Sequence, residues 1–332
     1  MSVGRVLPAL VVVLLAPALA LAVPTPSALR FEPRALSPLP SFVQRVAPAL
    51  VALRVRGADP TGGRRFATGI LFDARGYAVT VSYAVRGAGE ITARLADGRT
   101  VSARVAGVDL DTGLAVVRLE GPGPWPAVIL GDSARVAAGM PSATVALDED
   151  DQLVHAVGVV RGVRRFSASW EYMLDRAFLV EPAVDSWAGA AVVDDAGRVV
   201  AVGSLRLGGP PRLTLAIPVE TFVPVKDELI ETGRVTSRRP RPWLGLRTTA
   251  QPSGVFVEGF SDHGPARAAG FRVGDRIVAV DGAPVASQEE FYERLWRRRA
   301  GDAIAVTVER ADARRTITVV SLDRHRLPAG AP

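Results

Sequence analysis

From Leu50 onward the chain is a succession of short apolar runs cut by Gly, Pro or Asp-Gly, and this rhythm constrains the fold more than any other feature. The runs include "FATGILFDARGYAVTVS", "GLAVVRLEG", "PSATVALDED", "LVHAVGVVRGV" and "RAFLVEP". Many short strands at such spacing predict an all-β barrel or sandwich and argue against a parallel βαβ sheet. In "ITARLADGRTVSARV" the alternation is explicit: Ile91, Ala93 and Leu95 share a face, as do Val101, Ala103 and Val105. Asp97-Gly98 lies between them and predicts a hairpin, because this pair supplies the positive φ angles of a tight turn. The β region ends at "VETFVPVKDELIETG", where Phe222, Val225, Leu229 and Ile230 form one face and Gly233 is placed to cap a helix.

A length of 332 residues suits about two domains. The chain has no cysteine, which excludes disulfides, thiol catalysis and cysteine-ligated metals. His155, His263 and His325 show no metal-ligand spacing, so neither a metal nor a cofactor is expected. The net charge of +6 comes from arginines scattered along the chain, with Lys226 the one lysine and no interleaving of aromatic and basic residues. Nucleic acid is therefore not expected as a partner. Residues 1–22 read as a secretory signal peptide: one arginine, an apolar run, then Ala20-Leu21-Ala22 before Val23. Membrane contact is expected only if that segment stays uncleaved. Residues 23–40 are a Pro-rich extended linker.

Beyond the helix, "RVTSRRPRP" marks a second linker, over 236–242. Residues 243–322 then carry the strands "GVFVEGF", "DRIVAVDG", "AIAVTVER" and "RTITVVSL". They also carry the helix "SQEEFYERLWRRR", with Ser287 as its N-cap and Glu290 at the capping-box position. Residues 323–332 read as a disordered tail. "GPGPWP" and "FSASWEYMLD" read as surface loops in which Trp125 and Trp170 have no assigned role.

The stretch "AVDSWAGAAVVDDAGRVVAVGS", residues 183–204, has the small-residue turn and following strands by which many enzymes present a nucleophile. Its centre offers alanine. Taken in order with "ATGILFDARGYAVTVSYAV", "LADGRTVSARVAGVDLDTGLAVVRLE", "VILGDSARVAAGM", "LAIPVETFVPVKDELIETGRV" and "PWLGL", it resembles the HtrA (Deg) family from about Ser41 to Leu322. The resemblance implies an all-β, chymotrypsin-like double β-barrel over 41–235, followed by a small α+β PDZ domain over 243–322.

Serine-type hydrolysis needs a hydroxyl nucleophile, a histidine base and a carboxylate that orients the base. The resemblance sets the family's histidine position on Tyr83, its aspartate on Gly113 and its serine on Ala188. The oxyanion-hole glycine falls on Ser186. A pseudoprotease is expected. The alternative is an envelope serine endopeptidase with a non-standard triad, in which a slip of two residues offers Ser186 and Asp111. No slip offers a histidine, and the family has no catalytic residue at His155.

For the second domain the resemblance implies that Trp243, Leu244, Gly245 and Leu246 form a loop whose N–H groups receive a peptide's terminal carboxylate. The peptide would then add as a strand beside Leu246-Arg247-Thr248. Gln288, Tyr292 and Leu295 line its groove, and Phe291 packs inward. The partners so implied are C-terminal or unfolded peptide segments of envelope proteins, held by a periplasmic scaffold, chaperone-like holder or regulator. A homotrimer is also compatible with the family.

Overall fold

The computed structural model describes residues 39–58, 63–209 and 211–327. The expected signal peptide and most of the Pro-rich segment lie outside the described residues. After helix α1 (Ser41–Val46), six strands close the first barrel in the order β1-β2-β3-β6-β5-β4. They are β1 (Leu50–Gly57), β2 (Arg64–Asp73), β3 (Tyr77–Val81), β4 (Ala88–Leu95), β5 (Thr100–Asp109) and β6 (Leu114–Leu119). A one-turn helix α2 (Ser82–Val85) follows β3.

A second closed barrel has the order β10-β11-β12-β9-β8-β7. Its strands are β7 (Pro141–Leu147), β8 (Leu153–Ala168), β9 (Tyr172–Glu181), β10 (Ala191–Val193), β11 (Val199–Leu207) and β12 (Leu213–Pro218). Helix α3 (Lys226–Thr232) ends at Gly233, whose φ of +77° places it in the left-handed region that favours glycine. The segment before α3 returns to the first barrel, where Phe222 meets Phe72 edge-on at 5.0 Å. Closure removes the free edges a flat sheet would expose. It also fixes which loops gather where the barrels meet.

The third unit is a sheet of order β14-β15-β16-β18-β19. After the short β13 (Pro242–Trp243), its strands are β14 (Leu246–Gln251), β15 (Gly254–Phe260), β16 (Arg276–Val280) with the small partner β17 (Ala283–Pro284), β18 (Ala303–Arg310) and β19 (Ala313–Val320). Strand β20 (Leu322–Asp323) pairs back with β13. Helix α4 (Ala266–Ala269) lies between β15 and β16, and α5 (Gln288–Leu295) between β17 and β18. Phe291, Tyr292 and Leu295 of α5 are buried with Leu246, Val255, Ile277 and Val306 in one core.

Several expectations change. In the hairpin of β4 and β5, only Gly98 takes a positive φ, +87°. The Leu95 N–H donates to the Arg99 carbonyl at 2.9 Å, so three residues make the turn, and the Asp97 carboxylate accepts the Arg99 N–H instead of twisting its own backbone. Ser287 does cap α5, accepting the Glu290 N–H at 3.1 Å, but the Glu290 carboxylate reaches the Ala286 N–H at 2.9 Å instead of that of Ser287. "FSASWEYMLD" is not a surface loop: strands β8 and β9 run into it, and Glu171 at its tip is 1% exposed. Trp125 is buried as well, its indole beneath Arg99 at 5.0 Å.

The expected disordered tail is structured through its first residues. Asp323 pairs with Pro242, and the Arg324 guanidinium donates to the Leu110 carbonyl at 3.3 Å and lies 3.8 Å from Asp111. The half-buried Asp111 carboxylate and the Leu110 carbonyl hold this basic segment against the first barrel. Residues 328–332 lie outside the described residues.

Candidate functional site

The residues matched to a catalytic triad converge at the junction of the barrels. Tyr83 sits on α2, directly after the buried β3. The Ser82 N–H donates to the Gly113 carbonyl at 2.7 Å, which brings the loop between β5 and β6 alongside. From the second barrel the Trp187-Ala188-Gly189 turn leans onto β2: the Ala188 carbonyl accepts the Thr68 N–H at 2.8 Å. Gly189 has φ +75°, and a Cβ there would stand 1.9 Å from the Thr68 carbonyl oxygen. The backbone of this turn ties one barrel to the other.

Each of these positions makes a contact within the fold. The Tyr83 hydroxyl crosses to the second barrel and donates to the Ser204 carbonyl at 2.5 Å. Its ring face is partly exposed, but the hydroxyl end is desolvated, and this holds the phenol above the ordinary tyrosine value. Gly113 has φ +81°, and a Cβ built on it would meet the Tyr172 hydroxyl at 3.2 Å. Tyr172 itself donates to the Thr112 carbonyl at 2.6 Å, so an aspartate side chain at 113 would crowd a hydroxyl that is already held in place. The cleft of about 290 Å³ is lined by Tyr83, Ser186, Trp187 and Ala188 together with Arg65 and Asp185, and by no histidine. His155 is exposed on β8, opposite Val145, and His263 is exposed after β15. His325 follows Arg324, and desolvation lowers its affinity for a proton.

Asp109, 2% exposed, accepts the N–H groups of Asp111 and Thr112 and the Thr112 hydroxyl. The Arg238 guanidinium closes on it, and Arg241 lies 3.6 Å from Asp111. The segment expected as a plain linker is thus fastened to the first barrel by two charged side chains. A buried carboxylate satisfied in this way is a structural anchor.

The loop expected to receive a carboxylate already holds one from this chain. The Glu171 carboxylate accepts the Leu244 N–H at 3.0 Å and the Leu246 N–H at 2.8 Å. Burial pushes its pKa up to about 7, opposed by those N–H donors and by the positive charge of Arg324. Gly245, between the two donors, has φ +74°, and its Cβ would stand 2.4 Å from the Cα of Gly264. Two glycines in backbone contact give the loop its curvature. Leu244, Leu246, Tyr292 and Leu295 are fully buried, and Trp243 and Gln288 nearly so. Gln288 donates to the Thr248 carbonyl at 2.9 Å, and the Tyr292 hydroxyl donates to the Ala168 carbonyl at 2.6 Å.

Sequence reasoning missed Glu171 and Tyr172. The signal lay in "SWEY": an acidic residue between aromatic ones at a hairpin tip is unusual for a solvated loop.

A family model described as a trypsin-like peptidase domain matches residues 67–202, and one described as a PDZ domain matches residues 242–320. The serine endoprotease DegS of Escherichia coli K12 is 28% identical over 304 residues, covering 83% of each chain. The serine protease Do-like HtrA of Lactobacillus helveticus is 27% identical over 71% of this chain, which spans 62% of that relative. A probable periplasmic serine endoprotease DegP-like of Halomonas elongata is 28% identical over 77% of this chain and 56% of its own length. Among solved structures, the HtrA-type protease AlgW with decapeptide superposes with a TM-score of 0.57 at 23% identity, covering 85% of this chain and 98% of its own. Among the described residues, no helix is long and apolar enough to cross a membrane.

Proposed function

The chain belongs to the HtrA (Deg) family, and from that premise we propose that it is a non-proteolytic member that binds peptide chain ends through its PDZ domain. One observation carries the reading: where hydrolysis needs a base, the Tyr83 hydroxyl donates a hydrogen bond to the Ser204 carbonyl, and burial makes it keep its proton more tightly than a free tyrosine. A general base must instead be free and proton-hungry near neutral pH. With Ala188 in the turn and Gly113 behind Tyr83, neither nucleophile nor orienting carboxylate stands in for it. Ser186 is the one serine lining the cleft, and no histidine serves it.

The binding half of the proposal rests on the carboxylate-holding loop at Trp243–Leu246 and on β14 beside it, the edge strand of its sheet. AlgW has been solved with a decapeptide and with a tripeptide, which fits this mode of recognition. The N-terminal segment and the DegP-like relatives support a periplasmic setting, where chain ends of envelope proteins would be the ligands.

The test is a Gly245→Val variant. A side chain there collides with Gly264 and leaves the left-handed region, so the loop's N–H groups lose their convergence. In fluorescence anisotropy with labelled peptides randomised at their last four residues, affinity should fall at least tenfold on the order of one lost charge-assisted contact. Unchanged affinity would place the ligand elsewhere on the protein.

A further inference from the structure

The tip of the hairpin joining β8 and β9 meets the PDZ domain as a ligand would. The Ser169 carbonyl accepts the Thr248 N–H at 2.9 Å, pairing the tip with the otherwise unpaired edge of β14. Two residues on, the Glu171 carboxylate takes the Leu244 and Leu246 N–H groups. The Tyr292 hydroxyl bridges the two contacts, donating to the Ala168 carbonyl and accepting the Glu171 N–H at 3.2 Å. The Ser167 hydroxyl donates to Glu289 at 2.5 Å, and Arg165 reaches Glu293 at 2.6 Å. Strand pairing plus a carboxylate in a nest of N–H groups is the combination by which an extended peptide's C-terminus is held.

We propose that residues 167–171 are a built-in ligand of the PDZ groove, so that an external chain terminus enters only by displacing the hairpin tip. The proposal rests on the peptide-binding reading above and adds the competitor. Two further observations support it. Glu171 has φ +55°, in the left-handed region that strains a non-glycine residue. That strain is held by the contacts and relieved on release, which favours a displaceable tip. Trp170, beside it, is 43% exposed and stacked on Tyr172, so the tip is accessible from solvent on one side.

An attached ligand acts at an effective concentration of the order of millimolar or more, so it masks the groove from free peptides of modest affinity. The partner it admits is therefore a chain end with a free carboxylate and enough additional contact along β14 to outcompete the tip. Internal segments lack that carboxylate.

The experiment uses the mature chain and its Glu171→Ala variant, with two readouts. In hydrogen exchange without any peptide, the amides of Leu244, Leu246 and Thr248 should exchange at least tenfold faster in the variant, while the Thr68 amide between the barrels keeps its protection. In anisotropy with the randomised-end peptides, the variant should bind the free-carboxylate pool at least tenfold more tightly than the wild type and ignore the same pool amidated. If Glu171→Ala does not fold, the surface pair Arg165→Ala and Ser167→Ala should shift both readouts in the same direction by about threefold.

Unchanged exchange with peptide binding equal to wild type overturns the built-in ligand and leaves the peptide-binding reading intact. Faster exchange with no gain in carboxylate-dependent binding overturns both.

Discussion

Restoring the missing side chains together, by Tyr83→His, Gly113→Asp and Ala188→Ser, should leave the chain without measurable endopeptidase activity on an unfolded fluorogenic casein. The reason lies around the substituted positions. An aspartate at 113 must adopt φ +81°, where a non-glycine residue costs roughly 1 kcal/mol. Its Cβ would also crowd the Tyr172 hydroxyl, which is held in place by the Thr112 carbonyl. A carboxylate displaced from that spot cannot orient a histidine at 83. Ser186 in place of a glycine further alters the turn whose N–H groups would stabilise an oxyanion. Loss of one working triad member from a serine protease already costs up to about a millionfold in kcat. Activity within a hundredfold of a triad-bearing relative would mean that the site has kept its preorganisation and lost only three side chains.

Gly189→Ala should destabilise the whole chain by about 3 kcal/mol, a fall of about 6 to 12 °C in Tm measured by circular dichroism. The added methyl stands 1.9 Å from the Thr68 carbonyl oxygen and 2.7 Å from the Thr80 hydroxyl, at a backbone φ of +75°. Neither neighbour can yield cheaply. Thr80 donates to that carbonyl at 2.8 Å, and the Thr68 hydroxyl accepts the Leu147 N–H of the second barrel at 3.0 Å. Something must shift across the barrel junction, and the bond from Thr68 to Ala188 is the first to go. An unchanged Tm would show that the turn is not a strut. The backbone of this turn thus has a structural task of its own, tying one barrel to the other.

The barrels were legible because their cause is local. Alternation in "ITARLADGRTVSARV" and the Asp-Gly between its halves need no distant partner to become a hairpin. Tyr83, Gly113 and Ala188 each sit inside a patterned run, and the fold brings those runs together at the barrel junction. What stayed hidden is set by tertiary contact. Glu171 meets the Leu244 N–H across 73 residues of sequence, and the local hint in "SWEY", an acid between aromatic residues, does not say which N–H groups its carboxylate will meet. Tyr172 looks like an ordinary strand aromatic until its close approach to Gly113 is seen. Arg324 lies in a basic, Pro-containing end that composition assigns to solvent, and only the Asp111 carboxylate and Leu110 carbonyl on the first barrel give it a place.

The central proposal, a trypsin-like double barrel that does not hydrolyse peptides, is tested most directly by incubating the chain from Val23 with unfolded casein, with and without the randomised-end peptides, beside its Ser186→Ala variant. The account predicts no cleavage by either protein in either condition, and peptide binding unaffected by Ser186→Ala. Cleavage that survives repurification of the wild type and disappears in Ser186→Ala would contradict it, and would make Ser186 a nucleophile served by a base other than histidine.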